Sequence, residues 1–208
     1  MLLALPVKDF LEKTAGNDPV PGGGSVSALC GSLSAALGEM VANLTIGRKK
    51  YIDKEETMKE LSGIFRGYLK NFSEAIDADS DAYNEVFNAF KLPKETDEEK
   101  QTRSEKIQQA TKIAAEIPLS VARNAYFIMN YIEEVAKNGN QNAVTDACVA
   151  MMCARTAVLG ALLNVRINLL SLSDTGYVEK MTLECDQLEA KSIDKEKQLL
   201  DWLKTILN

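Results

Sequence analysis

The sequence of 208 residues contains no histidine. This absence excludes Ser-His and Cys-His nucleophile systems, imidazole general bases and every histidine-ligated metal site. Acid–base chemistry in this chain must therefore use carboxylates, lysine, tyrosine, thiols or atoms of the substrate.

Cysteine is also scarce, and the 24 basic residues are outnumbered by 30 acidic ones. No pair of the four cysteines has zinc-ribbon spacing, so we expect no bound metal and reduced thiols. The first residues, MLLALPVKDF, lack the positively charged start of a signal peptide, and we expect a cytoplasmic protein. The net charge of −6 argues against nucleic acid as a ligand class, and an anionic ligand needs a local basic cluster.

Proline and glycine divide the chain into helical stretches, and no stretch alternates with a period of two. A short helix after Pro6 precedes long helices at about 25–46, 55–90, 103–137 (with a kink at Pro118), 143–172 and 176–207. We therefore predict an all-α fold without a sheet, in which residues 1–208 form a single domain, an up-and-down bundle of about five long helices.

Small residues form seams along two of these helices. The first seam consists of Ala28, Gly31, Ala35, Gly38, Ala42 and Thr45, and the second of Ala147, Ala150, Cys153, Ala154, Ala157, Gly160 and Ala161. Such seams predict that the two helices cross closely, either in one chain or across a dimer interface, and core packing alone explains them. A membrane span is excluded for the first helix because several polar residues, including Glu39, lie within it.

One acidic residue interrupts an apolar stripe of the helix at 55–90. The stripe consists of Phe65, Leu69, Phe72, Ile76, Asp79, Tyr83, Val86 and Phe90, whereas Asp77 and Asp81 are predicted to face solvent. Burial favours the neutral form of an aspartate and raises its pKa, as a general acid near neutral pH requires. From this pattern alone, Asp79 is either a general acid or a structural acid with a buried partner.

Three further groups of polar residues are candidates for binding. Gly22, Gly23, Gly24 and Ser25 precede a helix and lack both P-loop and dinucleotide-binding spacing, so they predict a tight turn or a site for a carboxylate or polar ligand edge. Arg48, Lys49 and Lys50 are a solvated helix end or an anion site, while Asp146, Asn164 and Asn168 lie in an apolar helix and need partners.

Five ordered blocks carry a resemblance to a known family. They are TAGNDPVPGGGSVSAL, EMVANLTIGRKKY, DADSDAYNEVFNAFKLPKETDEEK, NGNQNAVTDACVA and NVRINL. Over about the first 175 residues, the chain resembles the cyclodeaminase/cyclohydrolase family of folate enzymes. The resemblance implies an all-helical subunit, a homodimer or larger even oligomer, and no metal.

The resemblance also implies roles for these residues. The family's proton donor is the second aspartate of its Asp-Ala-Asp block, here Asp79. The implied substrate is a tetrahydrofolate derivative, polyglutamylated and not permanently bound. The blocks support the positions of the binding residues, and we infer which part of the substrate each group contacts. We expect Asp146 with Asn142, Asn164 and Asn168 to hold the pteridine edge, Gly22 to Ser25 a polar edge or carboxylate, and Arg48, Lys49 and Lys50 the glutamate tail.

Two reactions fit the resemblance. A formimidoyltetrahydrofolate cyclodeaminase releases ammonia and forms methenyltetrahydrofolate, and a methenyltetrahydrofolate cyclohydrolase interconverts methenyl- and formyl-tetrahydrofolate with water. We favour the cyclodeaminase because the DADSDAY and LPKET blocks resemble the bifunctional members of the family. A third interpretation is a helical scaffold protein without activity.

Overall fold

The computed structural model describes residues 1–207 and contains six α-helices in this part of the chain, with no β-strand. The helices are α1 (Val7–Thr14), α2 (Gly23–Thr45), α3 (Glu55–Phe90), α4 (Asp97–Asn138), α5 (Val144–Leu169) and α6 (Thr175–Leu207). Two short 3-10 helices, Lys49–Lys54 and Gln141–Ala143, precede α3 and α5. The predicted all-α bundle of about five long helices is confirmed.

Helix α4 begins at Asp97 rather than near residue 103 as predicted, and its start and its interior proline each have a local explanation. Thr96 and Glu99 form a capping box, in which the Glu99 N–H donates to Thr96 Oγ1 at 3.2 Å and the Thr96 N–H donates to Glu99 Oε2 at 3.0 Å. Pro118 lies inside α4 and has no N–H to donate to the carbonyl of Ala114. The Asn168 side chain on α5 supplies that donor at 3.0 Å.

Helices α2 and α5 pack antiparallel in the same chain, as one of the two interpretations of the seams predicted. At one end, a Cβ added to Gly160 would overlap Ser27 Oγ, so the Ser27 hydroxyl would have to rotate away if Gly160 were replaced by a larger residue. At the other end, the Asn140 N–H donates to Thr45 Oγ1 at 2.8 Å.

The glycines of the α2 seam face α3 rather than α5. A Cβ added to Gly31 would lie 2.7 Å from the Phe72 ring, and one added to Gly38 would lie 2.5 Å from the Phe65 ring. Both spacings are seven residues and the helices are antiparallel, so each phenyl ring enters a notch left by one glycine. The seam therefore serves two partners, with Gly31 and Gly38 against α3 and Thr45 against the turn that precedes α5.

The apolar stripe of α3 extends less far than the sequence predicts. Ile76 is buried, but Tyr83 and Phe90 are 42% and 51% exposed. The reason is that α2 begins at Gly23, so nothing in α2 covers α3 beyond about residue 80. Asp79 consequently lies at the edge of the core rather than in its middle.

The prediction that Asp77 faces solvent is wrong. Its carboxylate accepts hydrogen bonds from the backbone N–H groups of Leu2 and Leu3, the latter at 3.4 Å. These bonds tie the N-terminal segment, including the buried Leu2, to α3. Asp81 is exposed, as predicted.

Two helical segments, Gly23–Thr45 and Gln141–Leu169, are long and apolar enough to cross a membrane. Within their most apolar windows, 61% and 50% of the residues are buried against the rest of the bundle. Packing between helices thus accounts for much of their apolar character.

Candidate active site

The carboxyl group of Asp79 lies against the first turn of α2. A Cβ added to Gly24 would overlap Asp79 Oδ1 and lie 2.5 Å from Oδ2. Gly24 is seven residues before Gly31, and Asp79 is seven residues after Phe72. The acid therefore occupies the third notch of the same glycine series that receives two phenyl rings at Gly31 and Gly38.

The environment of Asp79 favours its protonated form. Burial raises the pKa of this carboxyl group above its ordinary value, and hydrogen bonds from the side chain and backbone of Ser25 partly oppose the rise. The start of α2 adds exposed N–H groups that stabilise an anion after the proton has left. Asp79 therefore has the properties of a general acid whose conjugate base is also supported.

Ser25 lies behind the acid rather than in the open part of the site. Its side chain is fully buried, and its Oγ lies 3.1 Å from Asp79 Oδ2. The same Oγ lies 2.9 Å from the carbonyl oxygen of Ile76 and 3.1 Å from Ser80 Oγ. The hydroxyl of Ser25 thus contacts Asp79 directly and does not face the open part of the site. The contact with substrate that was predicted for Ser25 would have to come from the backbone of this turn.

Asn164 lies beside the same turn of α2. A Cβ added to Gly23 would lie 3.3 Å from its Nδ2, which donates to the Gly160 carbonyl at 2.8 Å. Asn168 lies one turn further along α5 and donates to the carbonyls of Ala114 and Asn164 at 3.0 and 2.9 Å. The amide nitrogen of Asn168 is therefore occupied by these two carbonyls, one of which Pro118 leaves without a helical donor, and its oxygen is left for a ligand.

The structure places the other predicted binding residues at the opposite end of α2. Arg48, Lys49 and Lys50 are exposed and follow the C-terminus of α2. The backbone N–H of Gln141 donates to the hydroxyl of Tyr51 at 3.1 Å, which brings the start of α5 to the same place. Asn142 is exposed there, and Asp146 is partly buried.

The twelve predicted residues thus form two clusters in one chain. The acid end comprises Gly22, Gly23, Gly24, Ser25, Asp79, Asn164 and Asn168, and the basic end comprises Arg48, Lys49, Lys50, Asn142 and Asp146. The 23 residues of α2 separate them by about 33 Å at 1.5 Å per residue. One chain therefore brings together the acid and the glycine turn but not the acid and the basic cluster.

Sequence reasoning missed two polar groups at the acid end, namely the Ser80 hydroxyl and the Ile76 carbonyl, which contact Ser25. A signal for the close approach of Asp79 to α2 was present in the sequence. Glycines recur every seven residues at 24, 31 and 38, and the matching spacing in α3 joins Phe65, Phe72 and Asp79. Within residues 1–207, no group of three or more acidic or cysteine side chains is placed to hold a metal ion.

Comparisons with known proteins agree on one family. The sequence profile of the formiminotransferase-cyclodeaminase family matches residues 6–187. A methenyltetrahydrofolate cyclohydrolase from Methylorubrum extorquens is 36% identical over 202 residues, which cover 97% of each chain. A formimidoyltransferase-cyclodeaminase from Rattus norvegicus is 34% identical over 179 residues, which cover 86% of this chain but only 33% of the rat protein.

A solved structure supports the fold over the whole chain. The crystal structure of formiminotetrahydrofolate cyclodeaminase from Thermotoga maritima superposes with a TM-score of 0.88 at 28% sequence identity, and the match covers 100% of both chains. The chain thus spans the full length of this protein and of the Methylorubrum relative, and about a third of the rat relative.

Proposed function

Because the chain belongs to the formiminotransferase-cyclodeaminase family, we propose that it is a formimidoyltetrahydrofolate cyclodeaminase, which forms methenyltetrahydrofolate and releases ammonia. The named relatives are folate one-carbon enzymes, which agrees with an enzyme rather than a scaffold. Within the family, the proposal rests on Asp79. This residue of α3 is a partly buried acid with a raised pKa, and its carboxyl group lies against the N-terminus of α2.

The chemistry needs no protein nucleophile, which agrees with a chain that has no histidine. The second folate nitrogen, tethered in the substrate, attacks the formimidoyl carbon and forms the new carbon–nitrogen bond. The attacking nitrogen loses its proton, and the leaving nitrogen gains two, one of them from Asp79. The carbon–nitrogen bond to the departing group then breaks, ammonia leaves, and Asp79 remains as a carboxylate that regains a proton from solvent.

The second candidate function is a methenyltetrahydrofolate cyclohydrolase. It is favoured by the Methylorubrum relative, which matches this chain along its whole length. In this reaction water adds to the methenyl carbon and one ring bond to nitrogen breaks, so Asp79 would again protonate the departing nitrogen. The acid end fits both reactions because both require a proton on a nitrogen that leaves carbon.

Two rates distinguish the candidates. The purified protein is incubated with formimidoyltetrahydrofolate while appearance of the methenyl chromophore is recorded, and separately with methenyltetrahydrofolate while that chromophore decays. We expect the first rate to exceed its uncatalysed rate by the larger factor. A larger factor for the second rate would assign the cyclohydrolase, and no acceleration of either would contradict both.

The proposed assembly is a homodimer formed through the outer faces of α2 and α5. These faces expose an apolar surface made up of Leu33, Met40 and Leu44 on α2 and Val149, Met152, Leu163 and Ile167 on α5. The charged residues of these helices are mostly paired inside the chain: Glu39 with Arg66, Arg155 with Glu196, and Arg166 with Asp186 and Glu189. A second copy of this chain covers such a surface without burying an unpaired charge.

A two-fold axis across α2 would complete the site. It sets the α2 helices of the two copies antiparallel, so the acid end of one copy lies beside the basic end of its partner. The proposed substrate, a polyglutamylated folate, then places its reacting group at Asp79 and its anionic tail at Arg48, Lys49 and Lys50 of the partner subunit. We include no metal and no permanently bound cofactor in the proposal, and we place the enzyme in the cytoplasm.

Substitution of Leu163 tests the assembly. Leu163 is 65% exposed on the proposed interface, and Leu183 on α6 is 61% exposed outside it. We expect Leu163→Asp to convert the dimer to monomers in analytical ultracentrifugation and to abolish most activity, since each site then lacks its second half. Leu183→Asp should retain the assembly and the activity. A fully active monomer would contradict a shared site.

Substitution of two lysines tests the tail site. We expect Lys49→Ala with Lys50→Ala to raise KM about tenfold for a polyglutamylated substrate and much less for the monoglutamate, with kcat unchanged, because two anion contacts are lost. The control is Lys197→Ala with Lys204→Ala on α6, which removes the same charge from residues outside the predicted tail site, both of them paired with Asp201. Equal effects on both substrates would place the tail elsewhere.

A further inference from the structure

We propose that Ser25 is a positioning residue for Asp79, with a hydroxyl that accepts a hydrogen bond from the protonated acid and donates one to the carboxylate. This inference rests on the proposed role of Asp79 as proton donor. It is carried by the three contacts of Ser25 Oγ: Asp79 Oδ2 at 3.1 Å, the Ile76 carbonyl at 2.9 Å and Ser80 Oγ at 3.1 Å. Neither Ser80 nor Ile76 was among the predicted site residues.

The single hydroxyl proton of Ser25 limits which of its three contacts can be a hydrogen bond that it donates. A serine hydroxyl has one proton to donate and two lone pairs that accept. The Ile76 carbonyl can only accept, so it takes the Ser25 proton when Asp79 is protonated. Ser80 and Asp79 then both donate to Ser25 Oγ, and every member of the cluster has a partner.

Transfer of the proton to the substrate reverses one of these bonds. The O–H bond of Asp79 breaks, a new N–H bond forms on the leaving nitrogen, and a carboxylate remains. The Ser25 hydroxyl then rotates so that its proton points to Asp79 Oδ2, while the Ile76 carbonyl keeps its helical hydrogen bond from the Ser80 N–H. Only a hydroxyl rotor moves, so Asp79 keeps its position through the proton cycle.

The charged residues nearest to Asp79 on α2, α3 and α5 do not take over the role of Ser25. On α3, Asp77 is occupied by the N–H groups of Leu2 and Leu3, and Asp81 faces solvent. On α2, the charged residue is Glu39, four turns away and paired with Arg66. On α5, Asn164 faces the site, and the nearest charge, Arg166, is paired with Asp186 and Glu189. Burial and Ser25 thus govern the pKa of Asp79.

Substitution of Ser25 by alanine tests the inference. We expect Ser25→Ala to lower kcat about 10- to 100-fold with little change in KM, because the acid loses its fixed orientation while the surface that binds substrate is intact. The carboxylate also loses a donor, so the pKa of Asp79 should rise further. The pKa is measured by NMR of protein labelled with γ-carbon-13 aspartate, with the Asp79 signal assigned by its loss in Asp79→Asn.

The matched control is Ser32→Ala. Ser32 is buried on the same helix and donates to the Ala28 carbonyl at 3.2 Å, away from Asp79. It should leave both kcat and the pKa of Asp79 unchanged. Ser25→Cys, which keeps a weak donor of similar size, should restore part of kcat.

Each outcome decides the inference. A folded Ser25→Ala protein with normal kcat, or with an unchanged pKa at Asp79, overturns it. If Ser25→Ala does not fold, Ser80→Ala takes its place and should raise the pKa of Asp79 by a smaller amount, since Ser25 becomes a weaker donor. The NMR titration needs no substrate, so it measures the coupling between Ser25 and Asp79 even if the wild-type protein shows no cyclodeaminase activity. A failure of this inference is therefore distinguishable from a failure of the proposed function.

Discussion

Replacement of Asp79 by asparagine is expected to lower turnover by about 100- to 10,000-fold, the range typical for loss of a general acid. Asparagine has nearly the same shape and can occupy the notch at Gly24, but its amide protons are not acidic enough to be given to the departing nitrogen. Substrate binding should change little, so the loss should appear in kcat and equally in kcat/KM. Steady-state formation of the methenyl chromophore measures it, and near-normal turnover would reduce Asp79 to a structural role.

The same variant should be at least as stable as the wild-type protein at neutral pH. Burial raises the pKa of Asp79 in the folded state, so the folded protein binds its proton more tightly than the unfolded chain does. The stabilisation from this group is complete below the unfolded pKa and declines as pH rises through the folded pKa. The asparagine side chain of the variant never ionises, and thermal unfolding at several pH values should show this decline only for the wild type.

Replacement of Gly24 by alanine should lower kcat about 100-fold. The added methyl group would overlap Asp79 Oδ1, whereas Cβ atoms essentially never approach another heavy atom closer than 3.0 Å, so the carboxyl group must move by about 1 Å. A displacement of this size is enough to spoil the alignment of a proton donor. The measurement is kcat on protein whose fold is verified by circular dichroism.

Two other glycines provide controls for Gly24. Gly63→Ala on α3 adds a methyl group with nothing within 4 Å and should be neutral or slightly stabilising, because alanine favours a helix. Gly31→Ala clashes with the Phe72 ring, so it should lower the melting temperature while the folded fraction keeps its kcat. Equal effects of Gly24→Ala and Gly31→Ala on kcat would contradict a specific role for the notch at Gly24.

Most of the fold could be predicted because helix boundaries follow local chemistry. The start of α4 is an exception, because the capping box of Thr96 and Glu99 begins the helix at Asp97 rather than near residue 103. Inside α4, Asn168 supplies the hydrogen-bond donor that Pro118 lacks. The sequence predicted that the buried stripe of α3 continues to Phe90, because it does not show where α2 stops covering α3. Tyr83 and Phe90 look like core residues until the start of α2 at Gly23 is known.

The sequence suggested residues for the candidate site but not how they are arranged in space. The inward position of Asp79 was readable from the helical period, and its contact with Gly24 from two seven-residue spacings. The distance between Ser25 and Lys50 was not readable, because sequence order does not show that they lie at opposite ends of one straight helix. Asp77 was misassigned because its partners are backbone N–H groups distant in sequence.

The central claim is that Asp79, whose pKa is raised by burial, gives its proton to the leaving nitrogen. Its most direct test is the single-turnover rate of methenyltetrahydrofolate formation from formimidoyltetrahydrofolate, measured against pH for the wild type and Asp79→Asn. We expect the wild-type rate to be highest at low pH and to fall as pH rises through a pKa above the ordinary value of aspartate, and we expect the variant to lack this fall. A wild-type rate that rises or stays level over that range, or a variant that keeps the same fall, would contradict the claim.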